Sequence, residues 1–189
     1  MLLRFFFAAA VTIIAILASA CALVDSTPVT TAPTQSLDSG AAPNFVLTST
    51  ALNAGNNIPA QFTCSGEGIS PQLKWSGAPA NTKSLVLIVD DPDAPGGTFT
   101  HWVAFDIPGT QTEIAQGAKS VGKGGKNGRG QTGYTGPCPP SGTHHYYFTL
   151  YALDLTTLGL NDAASRADVE TAMKLHTLAV TQLMGRYSK

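Results

Sequence analysis

One apolar segment near the middle of the chain limits the possible folds more than any other feature. Residues 85–89, Leu-Val-Leu-Ile-Val, form an unbroken run of branched apolar side chains between polar and proline-rich segments. Such a run is typical of a strand that is buried on both faces, because a strand with one exposed face shows polar residues at alternate positions. The sequence therefore predicts a sheet in which this strand is central.

Two aspartates follow this strand at its end. Side chains alternate along a strand, so Asp91 continues one face of the apolar run and points its carboxylate inward. The prolines that follow stop the strand and stiffen the turn that carries Asp91 and Asp93. A second predicted strand, residues 99–107, would bring His101 back beside them. Since a buried carboxylate is costly unless it is paired, we expect a polar site at this end of the sheet.

The rest of the domain shows a similar preference for strands. Short alternating or apolar segments bounded by Gly and Pro predict four more of them, at residues 45–50, 60–64, 72–76 and 145–153.

The hydrophobic period changes to that of a helix only after residue 160. Ser165 and Asp168 form a capping box, and Val169, Met173 and His176 recur at helical spacing. A second helix is predicted from residues 177–184, ending at a glycine. Strands first and helices last predict a mainly β protein, an antiparallel β-sandwich with C-terminal helices.

The N-terminal region is typical of an export signal followed by a tether. Residues 1–20 contain one charge, at Arg4, then a long apolar run and small residues directly before Cys21. This order predicts a signal peptide and resembles a bacterial lipobox, so Cys21 is predicted to carry lipid. Residues 21–43 comprise this cysteine and a segment of Thr, Ser, Pro and Ala that is too poor in large apolar residues to bury a core.

These features predict an exported lipoprotein of the cell envelope, periplasmic or anchored at the outer membrane through Cys21. An uncleaved membrane anchor and an ordinary signal peptide are the alternatives, and without lipid the protein would be secreted. Residues 44–189 are long enough for one domain with its own core.

The net charge and the cysteine content limit the possible partners and the possible compartment of this protein. The formal net charge is -1 and no basic stripe is present, so nucleic acid is not an expected partner. Cys64 and Cys138 are an even pair in a protein predicted to enter an oxidising compartment, and we predict a disulfide between them. Such a link would stabilise the fold by about 4 kcal/mol. Two free thiols packed in the interior are the alternative.

A glycine-rich, basic stretch at residues 116–133 is predicted to be a flexible exposed loop. Its Gly128-Arg-Gly-Gln-Thr-Gly133 segment matches the dinucleotide-binding fingerprint, but no buried strand precedes it and no helix follows, so we reject that function. Residues 136–142 are rich in Pro and Gly and predict a stiff wall without regular structure. In the strand after it, His144 and Tyr146 share one face, whereas His145 faces the other way.

These segments together resemble a known family. Asp91-Pro-Asp-Ala-Pro95 with His101, and Gly136-Pro-Cys-Pro-Pro-Ser-Gly-Thr-His-His-Tyr146, are similar to the two signature regions of the phosphatidylethanolamine-binding protein family, also called Raf kinase inhibitor-like proteins, and most of all to its bacterial branch. The resemblance implies a β-sandwich with a small pocket for phosphate or a phosphorylated head group. It implies that the pocket is lined by Asp91, His101, Gly136, Pro137, His144 and Tyr146, with Asp93 and Pro139 close by.

The chemistry of these side chains suits an anion. Histidine and tyrosine can donate hydrogen bonds to phosphate, and a carboxylate at Asp91 can hold a histidine N–H and favour the charged imidazole. We therefore expect His101 and His144 to contact the ligand and Asp91 to orient them. No cofactor and no catalytic residue are predicted.

Three other functions compete with this one. Ser141, His144 and an aspartate could form a hydrolytic triad, although Ser141 has no nucleophile elbow. The same histidines and aspartates could bind a metal ion, although no metal-ligand spacing is present. The chain could also inhibit a protease or a kinase through exposed loops, with a protein target outside the cytoplasm if the chain is exported. The sequence does not indicate an oligomeric state.

Overall fold

The computed structural model describes residues 44–189, which form two antiparallel sheets and one α-helix. The predicted signal peptide, the lipidation of Cys21 and the tether lie outside the described residues. In chain order the elements are β1 (Val46–Thr48), a 3-10 turn (Ala60–Phe62), β2 (Leu73–Ser76), β3 (Ser84–Asp91), β4 (Phe99–Pro108), β5 (Glu113–Ile114), β6 (Lys123–Gly125), β7 (Thr143–Leu153), α1 (Arg166–Met173) and β8 (Thr177–Ser188).

The central position predicted for residues 85–89 is confirmed. They lie in β3, the middle strand of a five-stranded sheet with the order β6-β4-β3-β7-β8. Leu85, Leu87 and Val89 face the core between the two sheets, whereas Val86 and Ile88 face a second core on the other side. Because both faces are covered, the strand has no position for an exposed polar side chain.

The smaller sheet, of order β1-β2-β5, closes the first core. Leu47, Leu73 and Trp75 are buried from this side against the larger sheet. The second core lies between the larger sheet and α1, from which Val169 and Met173 are buried. The predicted antiparallel β-sandwich is therefore observed, with α1 packed against the outer face of the larger sheet.

The predicted second helix is wrong, because residues 177–188 form strand β8. β8 pairs with β7 along nearly its whole length, from Ser188 opposite Thr143 to Thr177 opposite Leu153. Helix α1 has the predicted capping box at Ser165 but ends at Met173. The predicted helical spacing includes His176, which lies beyond the end of α1. Its Nδ1 atom donates a hydrogen bond to Asp154 at 2.9 Å. Strand pairing outweighs the local apolar spacing here.

The strand predicted at residues 60–64 is also wrong, since Ala60–Phe62 form a 3-10 turn. The Thr63 N–H and the Thr63 hydroxyl both bond to the Ala60 carbonyl oxygen and close the turn. The turn buries Phe62 and places Cys64 next to the Pro-rich segment at residues 136–142.

The predicted disulfide between Cys64 and Cys138 is confirmed. Their Cα atoms are 5.4 Å apart and the two cysteines are separated by 74 positions in sequence. A backbone hydrogen bond from the Cys64 N–H to the Pro137 carbonyl oxygen, 3.0 Å long, lies beside it. Thus the Pro-rich segment is attached to the 3-10 turn by a covalent bond and by a hydrogen bond.

Among residues 44–189, no helix has the length and apolar character needed to span a membrane.

Candidate anion-binding site

The site is built around Asp91, the last residue of β3, which is 3% exposed. One carboxylate oxygen accepts a hydrogen bond from His144 Nδ1 at 2.7 Å, and the other accepts from the Asp93 backbone N–H at 2.9 Å. His144 is also buried, and lies on the inward face of β7. The buried carboxylate is thus paired with a histidine, which offsets the cost of removing it from water.

His101 reaches the same place from β4 through a β-bulge. Val89 pairs with Trp102 and Asp90 with Thr100, so His101 is the extra residue on its strand. Bulges redirect side chains locally, and this one lies next to the site. His101 Nδ1 donates to the Thr135 carbonyl oxygen at 2.7 Å, while its own carbonyl oxygen accepts from the Thr135 N–H at 2.9 Å.

Burial lowers the pKa of His101 below its ordinary value, since removal from water disfavours the charged ring. The hydrogen bond to Thr135 and the carboxylates of Asp91 and Asp90 oppose this shift, whereas the nearby Arg129 guanidinium lowers the pKa further. His101 is therefore mainly neutral at pH 7 in the free protein.

His101, His144 and Asp91 line one cavity of about 220 Å³. This is below the range of drug-sized pockets and suits a small ion or head group. Of the residues predicted for the site, five lie in the lining: Asp91, His101, Gly136, Pro139 and His144. Seven further residues complete it: Ala94, Pro95, Phe99, Arg129, Thr135, Cys138 and Pro140. Ser141, the nucleophile of the competing hydrolase hypothesis, is not among the lining residues.

Three residues predicted for the site, Asp93, Pro137 and Tyr146, do not line the cavity. Asp93 is turned away, and its carboxylate accepts hydrogen bonds from the backbone N–H and from Nδ1 of His145, at 2.8 and 2.7 Å. These bonds lower the pKa of Asp93. Pro137 is buried in the wall, where its carbonyl oxygen bonds to Cys64.

Tyr146 supports the site from below. It is fully buried, and its ring meets that of His101 edge to face with centroids 5.2 Å apart. Its hydroxyl lies near Asp91 but has no hydrogen bond of normal geometry within the described residues. Burial, with a smaller contribution from Asp91, raises the pKa of Tyr146, so the hydroxyl keeps its proton.

The wall at Gly136 is held close to the neighbouring backbone. A Cβ atom at this position would lie 3.0 Å from the Phe62 carbonyl oxygen and 3.1 Å from Thr63 Cα. Tyr134 donates a hydrogen bond from its hydroxyl to the same Phe62 oxygen at 2.9 Å. The glycine therefore allows the wall and the 3-10 turn to pack against each other.

Residues 116–133, predicted to be a flexible exposed loop, contain β6 and an ordered turn. Asn127 is buried; its side-chain oxygen accepts from the Arg129 and Gln131 N–H groups, and its nitrogen donates to the Gly133 carbonyl oxygen and to Thr135. This network places Arg129 at the cavity, a role that sequence reasoning missed. The order of this loop is not evident from the local sequence, because it depends on the hydrogen bonds of one buried amide, that of Asn127.

The hydrogen bonds fix what the histidines offer to a ligand. A carbonyl and a carboxylate only accept, so Nδ1 of both His101 and His144 carries a hydrogen. Each ring therefore has Nε2 left for a ligand: an acceptor when neutral and a donor when protonated. Arg129 adds a permanent positive charge. In residues 44–189, no cluster of three or more His, Cys, Asp or Glu side chains is arranged to hold a metal ion.

Comparison with known proteins agrees with this fold. The family model described as phosphatidylethanolamine-binding protein matches residues 48–188. A UPF0098 protein of Methanothermobacter thermautotrophicus is 48% identical over 145 residues, which cover 74% of this chain and 95% of the relative. A UPF0098 protein of Pyrococcus horikoshii is 50% identical over 147 residues, covering 71% of this chain and 73% of the relative.

Two crystal structures are similar as well. The homologue CT736 from Chlamydia trachomatis has a TM-score of 0.74 and 40% identity, covering 77% of this chain and 98% of its own. Escherichia coli YbcL, described as a new member of the mammalian family, has a TM-score of 0.73 and 31% identity, with coverage of 77% and 99%. The chain belongs to the phosphatidylethanolamine-binding protein family.

Proposed function

We propose that this member of the family is an exported, lipid-anchored protein that binds phosphate or a phosphorylated head group in the cavity. The observation that carries the proposal is that His101, His144 and Arg129, from three separate segments, line one small cavity. Asp91 accepts a hydrogen bond from His144 Nδ1 at 2.7 Å, which orients the ring and leaves its Nε2 for the anion. The ligand would receive hydrogen bonds from the two Nε2 atoms and a charge-assisted contact from Arg129.

Removing one imidazole tests the assignment. We expect His101→Ala to weaken the binding of inorganic phosphate at pH 6 by at least tenfold, because a charge-assisted hydrogen bond contributes about 1.5–3 kcal/mol. Isothermal titration calorimetry measures the change. His145→Ala is the matched control, since this histidine is paired with Asp93 outside the cavity. Equal affinity of His101→Ala and the parent protein would refute the assignment.

The proposal also makes a prediction about pH. A bound anion raises the pKa of His101 from its lowered value, so binding takes up protons. Sulfate affinity should therefore begin to rise as the pH falls through the pKa of His101 in the complex. It should level off below the pKa of His101 in the free protein. The total rise should be about tenfold for each pH unit between the two pKa values. Sulfate serves as the probe because it stays a dianion throughout. A flat profile between pH 8 and 5 would exclude protonation of His101 on binding.

The folding stability of the free protein should change in the opposite direction to sulfate affinity and decrease as the pH falls. Because folding lowers the pKa of His101, the unfolded chain binds more protons between the two pKa values. The neutral, buried ring of His101 contributes stability that is fully present above about pH 6.5, the pKa of histidine in the unfolded chain. This contribution is lost as the pH falls below that value. Urea midpoints at pH 7.5 and 5.5, with and without sulfate, would show this loss and its partial reversal by sulfate.

Export and anchoring are part of the proposal and rest on the pattern that ends at Cys21. A chain lipidated there would partition into detergent, and mass spectrometry would find a diacylglyceryl group on that cysteine. Cys21→Ser should release the protein from membranes without changing phosphate affinity, because the proposed site lies in residues 91–144. Recovery of Cys21→Ser in the membrane fraction would overturn the lipid anchor.

A further inference from the structure

A second concave surface adjoins the cavity. It is an open groove of about 590 Å³, and Ala94, Pro95 and Phe99 line both the groove and the cavity. The Phe99 ring packs edge to face on His101, with centroids 4.8 Å apart. A molecule held at His101 could therefore continue past Phe99 into the groove without losing contact with the protein.

Several glycines contribute to the lining of this groove. A Cβ atom at Gly96 would meet no atom within 4 Å other than those of its chain neighbours, so the space beside this residue is open. At Gly128, by contrast, a Cβ atom would lie 2.6 Å from the Phe99 ring. The missing side chain at Gly128 lets the ring lie against the loop, and the ring forms a flat apolar surface that both spaces share.

The charged side chains in the groove are basic. Lys126 and Arg166 line it, and no acidic side chain does so within the described part of the chain. Arg166 is already paired, with Asp90 at 2.8 Å and with Glu170 at 3.1 Å. Lys126 is exposed, and its ammonium group forms no ion pair or hydrogen bond with any residue between 44 and 189.

The backbone of Lys126 is nevertheless fixed. Its N–H donates to the Ala164 carbonyl oxygen at 2.9 Å, and it pairs with Thr132 across the turn. The lysine therefore presents a free positive charge from a defined position at the groove. A charge of this kind attracts an anionic group that enters the groove.

We propose that the groove is a second subsite for the ligand of the cavity. It accommodates the organic part of a phosphate monoester, and Lys126 contacts a second anionic group at the far end of that molecule. The inference rests on the proposed function of the cavity as a phosphate site. It narrows the ligand class from any small anion to elongated phosphate monoesters with two anionic ends.

A series of synthetic ligands tests the second subsite. Calorimetry on the full chain in detergent would compare inorganic phosphate, alkyl phosphates, and ω-carboxyalkyl phosphates with three to eight carbons between the charged groups. We expect the carboxylate to improve affinity by roughly two- to fivefold over the alkyl phosphate of equal length, which is the range for one exposed ion pair. The gain should peak at one chain length, because a shorter or longer spacer misplaces the second charge.

Two variants locate the second contact. Lys126→Gln should abolish the gain from the carboxylate and leave inorganic phosphate affinity within about twofold, as expected for one exposed charge. Lys119→Gln is the matched control, since Lys119 is another exposed lysine of the same loop region but does not line the groove. Ala167→Glu adds an acidic side chain to the groove and should disfavour the carboxylate ligands, whereas Thr171→Glu, further along α1, should not.

The outcomes separate the two proposals. If phosphate binds but the carboxylate adds nothing at any length, or if Lys126→Gln keeps the gain, the second subsite is overturned and the phosphate site stands. If neither phosphate nor any ester binds, both proposals are overturned. A gain that has an optimum length and disappears in Lys126→Gln but not in Lys119→Gln supports the subsite.

Discussion

The double variant Cys64→Ser/Cys138→Ser is expected to lose about 4 kcal/mol of unfolding free energy, because the link closes a long loop and restricts the unfolded chain. The separation of 74 positions determines this size. The loss is a large fraction of the 5–15 kcal/mol that is typical of domains. Urea unfolding followed by tryptophan fluorescence would measure it as a lower midpoint.

The same change should also weaken phosphate binding. Cys138 lines the cavity, and the covalent bond holds the wall against the 3-10 turn. The Cys64 N–H to Pro137 bond and the Tyr134 to Phe62 bond remain in the variant, so we expect a looser site rather than an unfolded one. Cys21→Ser is the control, and it should leave the urea midpoint unchanged. Equal midpoints for the double variant and the parent would show that the link adds nothing to stability.

The second large effect is expected at Asp91. Asp91→Asn keeps the shape of the side chain but removes the negative charge that accepts the hydrogen bond from His144 Nδ1. The neutral amide holds the His144 ring less firmly, so phosphate affinity near pH 6 should fall by roughly tenfold, as expected when a charge-assisted hydrogen bond is replaced by a neutral one. We also expect a loss of about 2 kcal/mol in stability, since a charge-assisted buried hydrogen bond becomes a neutral one. Calorimetry and urea unfolding measure the two changes.

Asp93→Asn is an unusually close control for this experiment. Asp93 also bonds to the Nδ1 atom of a histidine at 2.7 Å, but this pair lies at the surface, outside the cavity. It should leave the affinity for phosphate unchanged and lower the urea midpoint much less than Asp91→Asn does, because the pair is exposed. Tighter phosphate binding by Asp91→Asn than by the parent would show that the carboxylate only repels the anion, and its orienting role would have to be abandoned.

Much of the fold followed from local patterns. The apolar run at residues 85–89 has no polar position because a sheet covers one face and a helix the other, so its central place could be predicted. The capping box at Ser165 is a local signal and was predicted as well. The second helix predicted at residues 177–184 is wrong because short apolar spacing does not distinguish a helix from an edge strand. The structure of this segment is decided by pairing with β7.

The site could be predicted only where short motifs carry its residues. Asp91, His101 and His144 stand in such motifs, and all three reach one cavity. The bulge that redirects His101 depends on the register between β3 and β4, which no local pattern records. Arg129 was missed because its position depends on hydrogen bonds from buried Asn127 that connect several parts of the loop.

The hydrogen bonds at Nδ1 of His101 and His144 have a consequence for the kinetics of binding. Both rings are already immobilised, by Thr135 and by Asp91, before any ligand arrives. A preorganised site loses little rotamer entropy when it is filled, and its backbone moves little. Ligands should therefore associate at similar rates and differ mainly in their residence times.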